Sequence, residues 1–253
     1  QNHRAILKDI AHRAMLERDL LPDFSTEALT ELKRLRVPSP TNDEHVRDMR
    51  SLLWASIDND DSRDLDQLTL AGAVSGDNIQ IMVAIADVDS SIKDGSAIDE
   101  HARHNTTSVY TAAEIFPMLP EKISTDITSL NFNEDRLAIV IEMVIGADGT
   151  LQGSSIYRAW VRNHAKLAYN SVANWLKNNG PIPGAVVAIK GLEENLQLQD
   201  RVAQSMKKLR HVHGALSLET IEAKPVFDGD QIRSLEIEEK NRAKEIIEAI
   251  RGM

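Results

Sequence analysis

Leu52-Leu53-Trp54-Ala55-Ser56-Ile57-Asp58-Asn59-Asp60-Asp61-Ser62-Arg63-Asp64-Leu65-Asp66-Gln67 joins a short apolar run to a strongly acidic one. The apolar half has the length and composition of a buried strand. A second apolar run, Leu68-Thr69-Leu70-Ala71-Gly72-Ala73-Val74, follows the acidic loop directly. Gly76-Asp77-Asn78 then marks a turn, and Ile79-Gln80-Ile81-Met82-Val83-Ala84-Ile85-Ala86 closes a hairpin. The acidic loop is therefore expected at one end of a strand framework.

Working outward, a second hairpin is expected over 137–162, turning at Asp148-Gly149, and a third over 216–236, turning at Asp228-Gly229-Asp230. Helices are expected at 97–105, 168–177 and 192–212, the last stopped by Gly214, with a final helix from Glu238. Upstream, residues 4–19 read as a helix with Ile6, Ile10, Ala14 and Met15 on its apolar side, ended by Leu20-Leu21-Pro22. Ser25 has the chemistry of an N-cap for a second helix, with Ala28, Leu29, Leu32 and Leu35 as its apolar positions. Pro38, Pro40 and Asn42 form a linker. The expected organisation is a helical segment and linker at 1–45, then a domain at 46–253. Tight hairpins interrupted by helices define an α+β fold with a mixed, mainly antiparallel sheet. Trp54 and Trp160 are expected in its core.

At 253 residues and 42% hydrophobic, the chain is long enough and apolar enough to bury a sizeable core. No apolar run approaches the ~20 residues of a membrane helix. Cysteine is absent, which excludes disulfides and thiolate zinc sites and fits a reducing, cytoplasmic setting. The net charge of −10 argues mildly against a nucleic-acid partner, but carboxylates gathered round a cation lower the total without removing a local basic channel. The chain opens on Gln1-Asn2-His3-Arg4, without an initiator Met or signal core, and its final helix reaches Met253 without a capping sequence; both ends read as cuts in a longer protein.

Asp58, Asp60, Asp61, Asp64 and Asp66 crowd five carboxylates into nine residues. Like charges this close repel, and desolvation beside a core adds to the cost. One reading is an ordinary acidic surface turn. The other is a divalent-cation site, which Mg²⁺ suits because it binds through a few carboxylates and keeps its other positions for water or phosphate. The alternation of Asp64 and Asp66 favours the second, since it points both side chains the same way. A calcium EF-hand is excluded: Asp58, Asp60 and Ser62 match its first positions, but Arg63 stands where Gly is needed and Thr69 where Glu is needed. Arg63 is either a holder of carboxylates or phosphate, or a solvated counter-charge. His101, His104, His164, His211 and His213 form no ligand set. Lys207, Lys208 and Arg210 suit phosphate contact or, equally, the negative end of their own helix.

The loop resembles the signature of the RNB catalytic domain of ribonuclease II and ribonuclease R: Ile-Asp, a short spacer, then Arg-Asp-hydrophobic-Asp-Asp. Val83-Ala84-Ile85-Ala86-Asp87-Val88, Thr107-Ser108-Val109-Tyr110 and Ile115-Phe116-Pro117-Met118-Leu119-Pro120-Glu121-Lys122 continue the likeness. Ser129-Leu130-Asn131, His164-Ala165-Lys166-Leu167-Ala168-Tyr169, Gly214-Ala215-Leu216 and Ile246-Ile247-Glu248 follow in the family's order. The match covers about residues 50–253, and residues 5–35 resemble the helical lead-in of some bacterial members.

The resemblance implies Mg²⁺-dependent (alternatively Mn²⁺-dependent), processive 3′→5′ hydrolysis of single-stranded RNA to nucleoside 5′-monophosphates. It puts Asp58, Asp64 and Asp66 on the family's first three catalytic aspartates, as metal ligands or positioners of the attacking water. Tyr110 falls on a tyrosine that packs against the terminal nucleotide, and stacking of that kind tolerates any base. Tyr169 falls on a tyrosine near the scissile phosphate. From the residues alone, both tyrosines also read as core aromatics with a satisfied hydroxyl. Arg63 would contact substrate. Glu248 falls on a glutamate that touches the nucleotide, though Ala249-Ile250-Arg251-Gly252 departs from the pattern.

Two departures stand out. Gln67 occupies the position of the fourth aspartate, a metal ligand; it keeps one neutral oxygen and loses the charge. Asp60 or Asp61 compensates, or one metal site is weak, or catalysis is lost. The family's later Thr-Ser-Pro-Ile-Arg-Arg-Tyr motif is absent from the chain, so only the front part of the domain is expected here. A non-catalytic RNA-binding relative is the alternative to an active exoribonuclease.

Overall fold

The computed structural model describes residues 3–40, 43–74, 76–214, 222–238 and 242–251. Its helices are α1 (His3–Glu17), α2 (Thr26–Arg34), α3 (Ala97–Asn105), α4 (Tyr169–Leu176), α5 (Gly184–Val187), α6 (Leu192–Val212) and α7 (Arg242–Arg251). Its strands are β1 (Val46–Asp48), β2 (Ala55–Asp58), β3 (Gln67–Ala73), β4 (Ile79–Ala86), β5 (Val109–Tyr110), β6 (Ile115–Phe116), β7 (Asp135–Ile145), β8 (Leu151–Arg162), β9 (Ala165–Ala168), β10 (Glu222–Asp228) and β11 (Gln231–Glu238). Compactness groups residues 37–88, 128–217 and 240–253 into one unit and residues 1–36, 89–127 and 218–239 into another.

The larger unit is built on a seven-stranded sheet in the order β1-β8-β7-β4-β3-β2-β9. The two expected hairpins, β3–β4 and β7–β8, pair antiparallel, as do β4 with β7 and β2 with β3. Among the described strands, the parallel pairs lie at the flanks of this sheet, β1 with β8 and β2 with β9. The fold is therefore α+β with a mostly antiparallel sheet. Side chains alternate between faces at the period of two that strands impose. Leu68, Leu70, Met82, Ala84, Ala138 and Val140 face one core with Trp54 and Leu130, whereas Ala71, Ile81, Val83, Met143 and Ile145 face α6 and α7. Trp54 and Trp160 are buried as expected, at 0% and 5% exposure. At the β7–β8 turn Gly149 has φ +87°, and a Cβ there would lie 2.9 Å from the Ser205 backbone, so the turn needs glycine both for its conformation and for its approach to α6. An Asp200–Arg242 pair ties α6 to α7, with the guanidinium donating Nε to Oδ1 at 2.8 Å and Nη2 to Oδ2 at 2.7 Å. At the other edge, Arg47 of β1 lies over the Tyr157 ring of β8, 3.6 Å from its centroid.

The smaller unit contains α1, α2, α3 and the hairpins β5–β6 and β10–β11. Ser25 caps α2 by accepting from the Ala28 amide at 3.1 Å, as its position predicts. The buried stripe of α1 differs from the expected one. Ala11 and Met15 are buried against Phe116, while Ile6 and Ile10 stay 46% and 47% exposed. Near its start the helix makes a polar contact instead, Arg4 lying 4.5 Å over the Phe227 ring. Contacts from distant parts of the chain, rather than the helix's own apolar pattern, select the face that is covered. The third hairpin runs two residues past its expected end at 236, and α7 starts at Arg242 rather than Glu238. The expected opening of that hairpin, 216–221, and the stretch 239–241 lie outside the described residues. Among the described residues, no helix is long and apolar enough to cross a membrane.

Candidate active-site loop

The sheet brings three separate chain segments to the ends of β2, β3 and β9. In the parallel β2–β9 pair, Asp58 stands beside Ala168, and Tyr169 follows as the first residue of α4. In the antiparallel β2–β3 pair, Ala55 faces Thr69, a register that runs Asp58 toward Asp66 and Gln67. Gln67 opens β3 opposite Ile85, and the Asp66 carbonyl accepts from the Ala86 amide at 3.0 Å.

Between those strands the loop is held at several points. Asp58 accepts from the Asn59 amide at 2.7 Å and the Ser62 hydroxyl at 3.2 Å. The Lys166 ammonium of β9 donates to the Ser62 carbonyl at 2.6 Å and reaches the Asp60 carbonyl at 3.4 Å. Leu65, 3% exposed, plugs into the core with Leu68 and Leu130, while Asp64 and Asp66 on either side remain exposed. The Leu65 amide donates to Ser129 Oγ at 3.1 Å, and its carbonyl accepts from the Leu130 amide at 2.8 Å.

Desolvation by the surrounding atoms, reinforced by the negative charges of Asp66 and Asp58, pushes the Asp64 carboxyl up to about 6. Asp58, Asp64 and Asp66 therefore share one electrostatic environment. Their all-oxygen, negatively charged donor set fits a hard divalent cation, which would relieve the repulsion that raises Asp64. Among the described residues, no group of three His, Cys, Asp or Glu side chains stands placed to hold a metal ion by itself. A Mg²⁺-type site does not require one, because water and phosphate oxygens complete its shell.

The other expected site residues are distributed as follows. Tyr169 is half-buried against the core of β2, β9, α4 and α7, and the Lys244 ammonium of α7 lies 5.6 Å from its ring centroid. Glu248, one turn beyond Lys244, is exposed, as is Arg63 in the loop. Tyr110 belongs to the smaller unit; it pairs with Ile115 in the β5–β6 hairpin and is 74% exposed, so it is not a core aromatic. Lys207 is ion-paired with Glu245 at 2.8 Å. Three of the histidines have structural partners: His101 is buried 4.1 Å from Phe24 ring to ring, His104 meets the Asp19 carbonyl at 2.6 Å, and His164 the Arg50 carbonyl at 2.8 Å.

Reasoning from the sequence assigned no role to Lys166, Lys244, Ser129, Asn131 or Asn163. For Ser129, Asn131 and Lys166 the only signal was membership of Ser129-Leu130-Asn131 and His164–Tyr169, which match the family's order. Asn163 is buried and donates Nδ2 to Ser56 Oγ and to the Leu130 carbonyl, each at 3.0 Å.

A mostly antiparallel sheet carrying this aspartate-rich loop defines an RNB-domain protein. The pattern described as RNB domain matches residues 46–252, and the chain belongs to that family. It is 34% identical over 202 residues to ribonuclease R of Vibrio cholerae, covering 79% of this chain and 24% of that protein. It is 33% identical over 168 residues to exoribonuclease 2 of Salmonella paratyphi B, covering 66% of this chain and 26% of that protein. The fold is similar to that of Mycoplasma genitalium RNase R, solved in complex with double-stranded RNA, with a TM-score of 0.83 and 23% identity over 93% of this chain and 41% of that one. The chain thus spans about a quarter of the length of the curated relatives it matches.

Proposed function

We propose that the protein containing this chain is an exoribonuclease that hydrolyses single-stranded RNA from the 3′ end to nucleoside 5′-monophosphates, with Mg²⁺ or Mn²⁺ as cofactor. The observation that carries the reading is the gathering of Asp58, Asp64 and Asp66 at one end of the sheet, where burial and then the charges of Asp66 and Asp58 disfavour ionisation of the Asp64 carboxyl. Membership of a family whose relatives include ribonuclease R and exoribonuclease 2 supports it.

In this reading Asp58, Asp64 and Asp66 hold the cation, and Gln67 contributes its neutral amide oxygen. A bound divalent cation supplies a water of lowered pKa and offsets charge on the phosphate. Exposed Arg63 would pair with a phosphate oxygen, and Lys166 keeps the loop folded by holding its carbonyls. Tyr169 is proposed to lie against the scissile phosphate, and Glu248 to contact the nucleotide. The exposed Tyr110 ring is proposed to stack on a base, which explains indifference to base identity.

The test is a time course of the full-length protein on 5′-labelled single-stranded RNA, with Mg²⁺ and with chelator, beside Asp66→Asn. Metal-dependent release of mononucleotides that the variant lacks is the expected result. Gln67 favours a second reading, a non-catalytic RNA-binding relative, because the family's fourth carboxylate is replaced by a neutral amide. That reading expects RNA binding that survives Asp66→Asn and no turnover in the parent protein.

A further inference from the structure

Ser129 is 1% exposed and lies in the segment that crosses beneath the acidic loop. Its hydroxyl oxygen accepts from the Leu65 amide at 3.1 Å. Its single hydrogen faces two acceptors, Asn131 Oδ1 at 2.9 Å and the Arg63 carbonyl at 3.3 Å. Arg63 and Leu65 are the residues immediately before and after Asp64. The Leu130 amide adds a bond to the Leu65 carbonyl at 2.8 Å, so both main-chain groups of Leu65 end on this one segment.

We infer that Ser129 is a positioning residue: its hydroxyl holds the Leu65 amide just after Asp64, within reach of the Arg63 carbonyl just before it, and so sets where that carboxylate stands. The physical ground is the contrast between the two parts of the loop. Asp64 itself is exposed, and its chain neighbours Arg63 and Leu65 are the ones that meet Ser129. The peptides flanking it are anchored to a buried hydroxyl whose removal would leave the Leu65 amide without its acceptor. Supports of this kind govern ligand affinity and turnover although they touch neither substrate nor cation. Asn131 orients the hydroxyl from the opposite side. The role of the brace in turnover rests on the hydrolase reading above, but the brace itself does not.

The experiment compares Ser129→Ala, Ser129→Thr and Ser129→Val in the full-length protein. Thr and Val have the same shape and differ only in the hydroxyl, so any strain from the added bulk cancels between them. In metal-free protein, amide exchange at Leu65 is expected to rise about tenfold in the Ala and Val variants relative to parent and Thr. On single-stranded RNA, the Ala and Val variants are expected to lose about ten- to a hundredfold in kcat or in apparent Mg²⁺ affinity, with KM for RNA unchanged. Equal behaviour of Thr and Val, or a Leu65 amide that stays protected in Ser129→Ala, overturns the brace. A freed Leu65 amide with parental kcat and Mg²⁺ dependence overturns the positioning role. If the parent shows no turnover, the hydrolase reading fails, and the exchange comparison still decides whether Ser129 holds the loop.

Discussion

Asp58 and Ala168 stand side by side at the ends of two parallel strands, 110 residues apart in sequence. Because parallel strands end at the same edge, the acidic loop leaving β2 and the Tyr169 helix leaving β9 start from neighbouring points.

Asp64 provides a prediction about stability. Its folded-state pKa, about 6, lies above the ordinary value of 3.8, so the fold favours the protonated form. The resulting penalty is absent below about pH 4, grows between there and pH 6, and is fully present above it. Asp64→Asn should therefore stabilise the metal-free protein at pH 7.5 by about 1 kcal/mol, after discounting for solvent screening. This is a rise of about 2–4 °C in Tm. The gain should vanish at pH 4 in the same thermal scans.

Asp135 has the opposite sign. It accepts from Arg162 Nε at 2.6 Å and Arg50 Nη1 at 2.9 Å, which hold its carboxyl below the usual range. Its contribution is present above the unfolded value of about 4 and is lost as pH falls through the folded one. Asp135→Asn should cost about 1.5–3 kcal/mol in urea unfolding at pH 7, with the difference from parent shrinking as the pH is lowered below the unfolded value.

The Asp200–Arg242 pair gives a test of how α7 is fastened. Both oxygens of a carboxylate 13% exposed are used by one guanidinium. Asp200→Ala should cost about 2–3 kcal/mol, and a double-mutant cycle with Arg242→Ala should recover at least about 1 kcal/mol of coupling. Independent effects of the two changes would mean that this pair does not fasten α7, leaving its apolar contacts and the Lys207–Glu245 pair.

Gln67→Asp restores the charge of the family's fourth carboxylate at the start of β3. Under the hydrolase reading it should lower the Mg²⁺ concentration for half-maximal turnover by about tenfold, measured by titration on single-stranded RNA. Unchanged Mg²⁺ dependence would show that Gln67 is not a ligand.

Tyr110 is exposed enough that Tyr110→Ala should leave Tm unchanged. If the ring stacks on a base, binding of a short single-stranded RNA should weaken by about 1–3 kcal/mol, and Tyr110→Trp should retain it. Fluorescence anisotropy at fixed salt separates these outcomes.

Local patterns determined much of the fold. Alternation on either side of Gly76-Asp77-Asn78 and of Asp148-Gly149 specified two hairpins, α3 and α6 span the expected 97–105 and 192–212, and Gly214 follows the end of α6. A hairpin or a helix is closed by residues a few positions apart, so its signals lie together in the chain. The acidic cluster was legible for the same reason: five carboxylates in nine residues are a property of sequence alone.

Tertiary structure alone decided the pairings without a local turn. The β1–β8 and β2–β9 pairs join segments about a hundred residues apart, and no nearby residue announces such partners. It also decided which stripe of α1 is covered, leaving Ile6 and Ile10 exposed, because burial depends on what distant chain arrives. Ser129 and Lys166 are ordinary polar residues in sequence. They support the acidic loop only because the folded sheet brings a hydroxyl and an ammonium within hydrogen-bonding distance of its backbone, where the loop's amides and carbonyls need partners.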